Sequence, residues 1–169
     1  MSLSHGPRPA AVGAPSGGRH LLDVAGLEWG QLRTLLNHAA EMRAILATPE
    51  RRSDELRGRI VATLFYEAST RTRLSFEIAA RALGAELISF DVGSSSVGKG
   101  ESLVDTLRTL RALGADLVVL RHERSGAPWL AARTFDGSVI NAGDGWHAHP
   151  TQSLLDLSVL SAQIGRAHV

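Results

Sequence analysis

Ser69-Thr70-Arg71-Thr72-Arg73 brings hydroxyls and guanidinium groups together between an apolar run, Ile60–Phe65, and an amphipathic segment that begins near Arg73. The run is short and β-branched at its start, as a buried strand is, and Leu74, Ile78 and Ala82 follow at helical spacing. Two hydroxyls and an arginine therefore fall where a strand hands over to a helix. Unpaired backbone N–H groups and the positive end of the helix dipole meet there, which favours an anion and phosphate above all. Taken alone, Ser69 and Thr70 suit plain capping equally well. Arg71 and Arg73 also suit solvated or carboxylate-paired charges.

Three more polar clusters follow similar apolar runs. They are Ser94-Ser95-Ser96-Val97-Gly98-Lys99, Arg121-His122, and Asn141-Ala142-Gly143-Asp144-Gly145 with His147, His149 and Gln152 beyond it. The serine-rich stretch has the composition of a flexible connector, and a lone Lys99 is ordinarily a surface charge. Arg121 is harder to dismiss, because a charge closing an apolar strand needs a partner or a ligand. His122, His147 and His149 raise the question of a metal. No carboxylate or thiolate stands near them at ligand spacing, so none is expected. Asp144, between two glycines, suits a turn or cap better than a general base. Gly98-Lys99 lacks the spacing of a nucleotide phosphate loop, and no G-x-G-x-x-G follows a strand, so nucleotide binding is disfavoured.

The elements that must position these clusters alternate along the chain. Residues 1–19 are rich in Gly, Pro, Ala and Ser and read as a disordered lead-in. From Trp29, the residues Leu32, Leu35, Leu36, Ala39, Met42 and Leu46 form an amphipathic helix pattern, ended by Pro49. Strands are expected at Ile60–Phe65, Glu86–Asp91, Asp116–Arg121 and Ser138–Ala142. Helices are expected near Arg73–Leu83, around Leu103, Leu107 and Leu110, at Ala127–Arg133, and from Pro150 through Leu160. Such alternation predicts an α/β fold with a parallel sheet flanked by helices on both faces. Right-handed crossovers then bring all four polar clusters to the carboxyl edge of that sheet, where open α/β sheets bind ligands. The combined side chains suit a small, strongly anionic, oxygen-rich ligand.

Composition narrows the partners. The 169 residues carry a formal charge of +1 and 44% hydrophobic residues, enough for one such domain and not comfortably for two. Near-zero charge argues against a general nucleic-acid or membrane-surface binder. With no cysteine, disulfides, thiolate catalysis and cysteine–zinc sites are excluded, and a cytoplasmic setting fits. No apolar run approaches the roughly 18 residues of a spanning helix, and the N-terminus lacks the apolar core of a secretory signal.

Taken in order, Phe65-Tyr66-Glu67-Ala68-Ser69-Thr70-Arg71-Thr72-Arg73, Ser96-Val97-Gly98-Lys99-Gly100-Glu101-Ser102, Arg121-His122 and Asn141-Ala142-Gly143-Asp144-Gly145 with His149-Pro150-Thr151-Gln152 resemble the carbamoyl-phosphate domain of the aspartate carbamoyltransferase family. The likeness runs from about Leu21 to Leu160. It implies a Rossmann-like N-terminal domain over residues 20–161. Ser69, Thr70, Arg71 and Thr72 would hold the phosphate. Thr72, Arg121 and His149 would face the carbonyl oxygen, and Gln152 the carbamoyl amide. Preorganised donors of that kind contribute on the order of 3 kcal/mol each in other enzymes. Ser96 and Lys99 would reach into a neighbouring subunit of a homotrimer.

The resemblance implies no cofactor and no metal. It implies carbamoyl phosphate and L-aspartate as substrates, with a dihydroorotase or regulatory chain as a further partner left open. Lys99 and the Asn-Ala-Gly-Asp-Gly loop separate the aspartate enzyme from its ornithine relative. The presence of Arg71, Arg121 and His149 counts against a non-catalytic scaffold that partners dihydroorotase. A generic phosphate-binding module would not require Gln152 and His149. Catalytic chains of the family are about twice this length, and Ile164–Val169 does not continue the helix pattern. Residues 162–169 are therefore expected to be a non-native read-through tail, and the 169-residue chain to bind carbamoyl phosphate without turnover.

Overall fold

The computed structural model describes residues 19–91 and 102–166. The chain runs α1 (Trp29–Leu46), β1 (Ile60–Phe65), α2 (Thr70–Ala82), β2 (Glu86–Asp91), α3 (Leu103–Ala112), β3 (Leu117–His122), α4 (Ala127–Thr134), β4 (Ser138–Asp144) and α5 (Pro150–Arg166). All strand pairs are parallel and the order across the sheet is β2-β1-β3-β4. Period-two alternation explains how one short strand serves two layers. Ala62 and Leu64 of β1 join Val118, Leu120, Leu107, Leu110 and Ala131 on one face, with α3 and α4. Val61 and Phe65 join Val119, Ala142 and Ala80 on the other, beneath α2. The flanked parallel sheet read from the sequence is the architecture found.

From β1 the chain crosses to β2 on one side, then returns over the sheet to β3 on the other. The crossover direction therefore reverses between β1 and β3, which opens a crevice at their carboxyl ends. Phe65 and Arg121 are register partners at that position.

The boundaries differ from expectation in three instructive places. Helix α2 starts at Thr70 and not Arg73, because Ser69 is still extended (φ −155°, ψ 89°) while its carbonyl already accepts the Arg73 N–H at 3.0 Å. Strand β4 runs on to Asp144, through Gly143 at φ +118°, a conformation that costs glycine little. Helix α5 continues past Ser161 to Arg166, since each further residue adds one backbone hydrogen bond and a single Gly165 costs only about 1 kcal/mol. Gly84 (φ +79°) and Gly114 (φ +93°) close α2 and α3 as expected of residues just past a helix end.

Before α1, the Leu21 backbone brackets β4. Its N–H donates to the Val139 carbonyl and its carbonyl accepts from the Asn141 N–H, both at 2.9 Å. Leu64 is fully buried at the centre of the sheet, whereas Leu46 near the end of α1 is 42% exposed. Leu64→Ala is expected to lower unfolding free energy by about 2–5 kcal/mol in urea titrations, and Leu46→Ala by no more than about 0.5 kcal/mol.

Candidate functional site

The described strand-to-helix connections, those after β1, β3 and β4, emerge on one edge, as the parallel order requires. The connection after β1 puts Thr70, Arg71 and Thr72 in the first turn of α2, with Ser69 at the N-cap. The Ser69 side chain caps no backbone N–H; its hydroxyl is hydrogen-bonded to the Thr72 hydroxyl at 2.9 Å. This answers the capping alternative. The first-turn amides of α2 are not taken by the cap side chain, and no acidic residue stands in that turn. Thr70 and Arg71 are exposed and Thr72 is half-buried. Arg73 turns along its own helix, with Nε 3.8 Å from Glu77.

Arg121 occupies the crevice between β1 and β3. One terminal nitrogen donates to Glu67 Oε1 at 2.8 Å and the other to the Ala142 carbonyl at 3.0 Å. Its Nε is buried and has no hydrogen-bond partner among the described residues. Glu67 lies two residues before Ser69, so the Arg121 charge is tied directly to the loop that starts α2. The backbone reinforces the tie, with the Tyr66 N–H on the Arg121 carbonyl at 2.9 Å. Gly143 leaves room for this arginine. A β-carbon there would stand 2.5 Å from Arg121 Nη1 and 3.5 Å from His149 Cδ2, so the glycine separates these two side chains.

His149 immediately precedes Pro150, the first residue of α5. The Gln152 N–H points to its Nδ1 at 3.4 Å, and the Thr151 hydroxyl lies 3.3 Å from the same nitrogen. A backbone N–H can only donate, so Nδ1 accepts and the proton of the neutral ring sits on Nε2. Burial, then the nearby Arg121 charge, lowers the pKa of His149 below the ordinary imidazole value. The ring is therefore a neutral donor at neutral pH, the form suited to an oxygen that gains negative charge.

The neighbouring residues hold these groups. The His122 ring lies against Tyr66, centroids 4.6 Å apart, and its Nδ1 accepts the Arg124 N–H at 3.0 Å. Asp144 is fully buried and accepts from the Gly126 N–H at 2.8 Å and the Ala148 N–H at 3.0 Å. It thus serves the turn and the start of α4, the structural role expected of it. His147 contacts Asp144 at 3.2 Å, and its ring packs edge-on to Trp129. Gln152 is exposed, and its side-chain amide donates to Asp156 at 2.9 Å along α5. It is not turned toward Arg121 and His149 in this arrangement. Ser96 and Lys99, with the whole stretch from Ser94, lie outside the described residues. Among the described residues no group of three metal-capable side chains assembles, and no helix is long and apolar enough to cross a membrane.

Anion-ready amides, a crevice arginine and a neutral imidazole donor therefore share one edge. Residues 19–162 match the family model described as aspartate/ornithine carbamoyltransferase, carbamoyl-P binding domain. The chain belongs to that family. Over 148 residues, 88% of this chain and 48% of the relative, it is 53% identical to the aspartate carbamoyltransferase catalytic subunit of Chloroflexus aurantiacus. The corresponding protein of Salinispora tropica is 54% identical over the same shares. Among solved structures, the catalytic subunit of M. jannaschii aspartate transcarbamoylase superposes with a TM-score of 0.80 at 46% identity, covering 88% of this chain and 48% of that one. The Trypanosoma cruzi aspartate transcarbamoylase in complex with carbamoyl phosphate and aspartate gives a TM-score of 0.80 at 35% identity, with coverage of 88% and 46%. The chain thus spans about half the length of the relatives it matches.

Glu67 is the residue whose role the sequence reading missed, although it stands inside the motif. A charge search beside Arg121 would have found it only with the β1–β3 pairing in hand.

The imidazoles make stability pH-dependent. Burial lowers the pKa of His20, His122 and His149 from 6.5, reinforced by neighbouring Arg19, Arg124 and Arg121 respectively and partly opposed at His122 by Glu123 and Asp144. Below 6.5 the unfolded chain therefore binds more protons than the folded one, and stability is lost as pH falls, until the folded values are also crossed. The melting temperature is expected to drop between about pH 7.5 and about pH 5.5, with a flatter profile in His122→Gln and His149→Gln. A profile with no decline over that interval contradicts the assignment.

Proposed function

We propose that this chain supplies the carbamoyl-phosphate half of aspartate carbamoyltransferase. In that reaction the α-amine of L-aspartate attacks the carbonyl carbon, phosphate leaves, and N-carbamoyl-L-aspartate forms. No covalent intermediate or metal enters this scheme, so alignment and charge stabilisation carry it. In this reading Ser69, Thr70, Arg71 and Thr72 receive the phosphate through hydroxyls, guanidinium and first-turn amides of α2. Arg121 and the Nε2–H of His149, with Thr72, face the carbonyl oxygen as its charge grows. Gln152 would leave Asp156 to meet the carbamoyl amide.

The observation that carries the proposal is the convergence of the α2 first turn, Arg121 and His149 on the crevice between β1 and β3. Aspartate as the acceptor rests on the names of the relatives, each about twice as long as this chain. Grip on its carboxylates is assigned to the remainder of such proteins. Ser96 and Lys99, donated across a homotrimer, remain part of the proposal, as does a cytoplasmic setting.

Calorimetric titration tests the reading. The chain is expected to bind carbamoyl phosphate, and Arg71→Ala to weaken it by about tenfold or more, equivalent to about 1.4 kcal/mol. Because Arg71 is exposed, its removal should leave the melting temperature nearly unchanged. An Arg71→Ala variant that binds as tightly as the parent chain would contradict the phosphate assignment.

A further inference from the structure

The carboxylate of Asp144 makes more contacts than a turn requires. Oδ1 accepts from the Ala148 N–H and from Asn141 Nδ2, both at 3.0 Å, and Oδ2 accepts from the Gly126 N–H at 2.8 Å and faces His147 Nδ1 at 3.2 Å. The side chain has no exposed surface. A simple turn needs one acceptor for one following amide. Here a single carboxylate ties together the two loops that flank Arg121, the one before α4 and the one before α5.

Asn141 completes the clamp. Its amide nitrogen also approaches the Leu22 carbonyl at 3.0 Å and the Ala148 carbonyl at 3.3 Å, while its oxygen accepts the Gly143 N–H at 2.9 Å. The turn is thus gripped at Gly143, at Asp144 and at Ala148, the residue immediately before His149. Gly143 is also the residue that separates His149 from Arg121. The separation of these two groups is set through bonds that Asp144 and Asn141 make. The phosphate-binding start of α2 stands on another loop and makes none of these contacts.

We propose that Asp144 is a positioning residue for the carbamoyl end of the ligand, acting through Ala148 and Gly126 to hold His149 opposite Arg121. This rests on the carbamoyl-phosphate reading above. It adds a division of labour: the α2 start sets affinity for phosphate, and the Asp144 clamp sets the gain that the carbamoyl group adds. Asp144→Asn keeps the shape but turns one acceptor into a donor, which must then face the N–H of Gly126 or Ala148.

Titrations with inorganic phosphate and with carbamoyl phosphate on the whole chain separate the two roles. The parent chain is expected to prefer carbamoyl phosphate. In Asp144→Asn the phosphate Kd should stay within about twofold, while the carbamoyl preference falls about tenfold or more. The 15N signals of His149 should lose their single-tautomer pattern. A purely structural role would reduce the folded fraction and scale both apparent affinities together, leaving their ratio intact.

Hydrogen exchange on the unmutated chain gives a second readout should the variant not fold. Carbamoyl phosphate, and not phosphate, should slow exchange at the Ala148 and Gly126 amides. A preserved preference in Asp144→Asn, or equal protection by the two ligands, overturns the positioning role alone. A parent chain that binds phosphate with no gain from the carbamoyl group overturns the carbamoyl-phosphate reading and this proposal with it.

Discussion

Arg121 imposes the constraint on which the carboxyl edge is built. A guanidinium at the end of a strand whose preceding residues are fully buried must find acceptors, or its desolvation outweighs what the strand gains by burial. It finds Glu67 at 2.8 Å on the loop after β1 and the Ala142 carbonyl at 3.0 Å on β4. One side chain thereby ties three connections, since its own strand leads into α4, Glu67 into α2, and Ala142 into the turn before α5. Gly143 is the steric counterpart of this arrangement, because a β-carbon there would occupy the guanidinium's place. Glu67 is partly exposed, so one side of the pairing faces solvent and is screened by it.

The sheet order supplies the rest. Reversal of the crossover direction between β1 and β3 separates the two following helices onto opposite faces and leaves a crevice above Phe65 and Arg121. Helix α2 then presents its positive end to that crevice without a side-chain cap. His149 enters from the far side, with Nδ1 occupied by α5 and Nε2 left to donate. Affinity for phosphate and polarisation of a carbonyl oxygen are different tasks, and the proposed function divides them between the α2 start and the side chains of Arg121 and His149, with Thr72 shared.

Much of this was legible in the residues. Apolar runs bounded by glycine and polar clusters located all four strands to within three residues; β1 and β3, the inner strands, carry the continuous burial that a doubly covered parallel sheet requires. Membership of the carbamoyltransferase family followed from motifs that survive as linear text. What was not legible depends on contacts distant in sequence. Glu67 meets Arg121 across 54 positions, and Asn141 meets Leu22 across 119. The true start of α2 turned on one extended residue, Ser69, whose backbone angles no periodicity records. The Gln152 bond to Asp156 is a rotamer choice of an exposed side chain, equally invisible to pattern.

The central claim is that one anionic ligand bridges the start of α2 and the turn before α5 across the β1–β3 crevice. Amide chemical-shift mapping during titration with carbamoyl phosphate tests it most directly. The account predicts that Thr70, Arg71 and Thr72 shift together with Gly143 and Gln152, in one saturable process, while Gly84 and Gly114 at the opposite edge stay still. Shifts confined to the α2 start, or spread over the opposite edge, would contradict it.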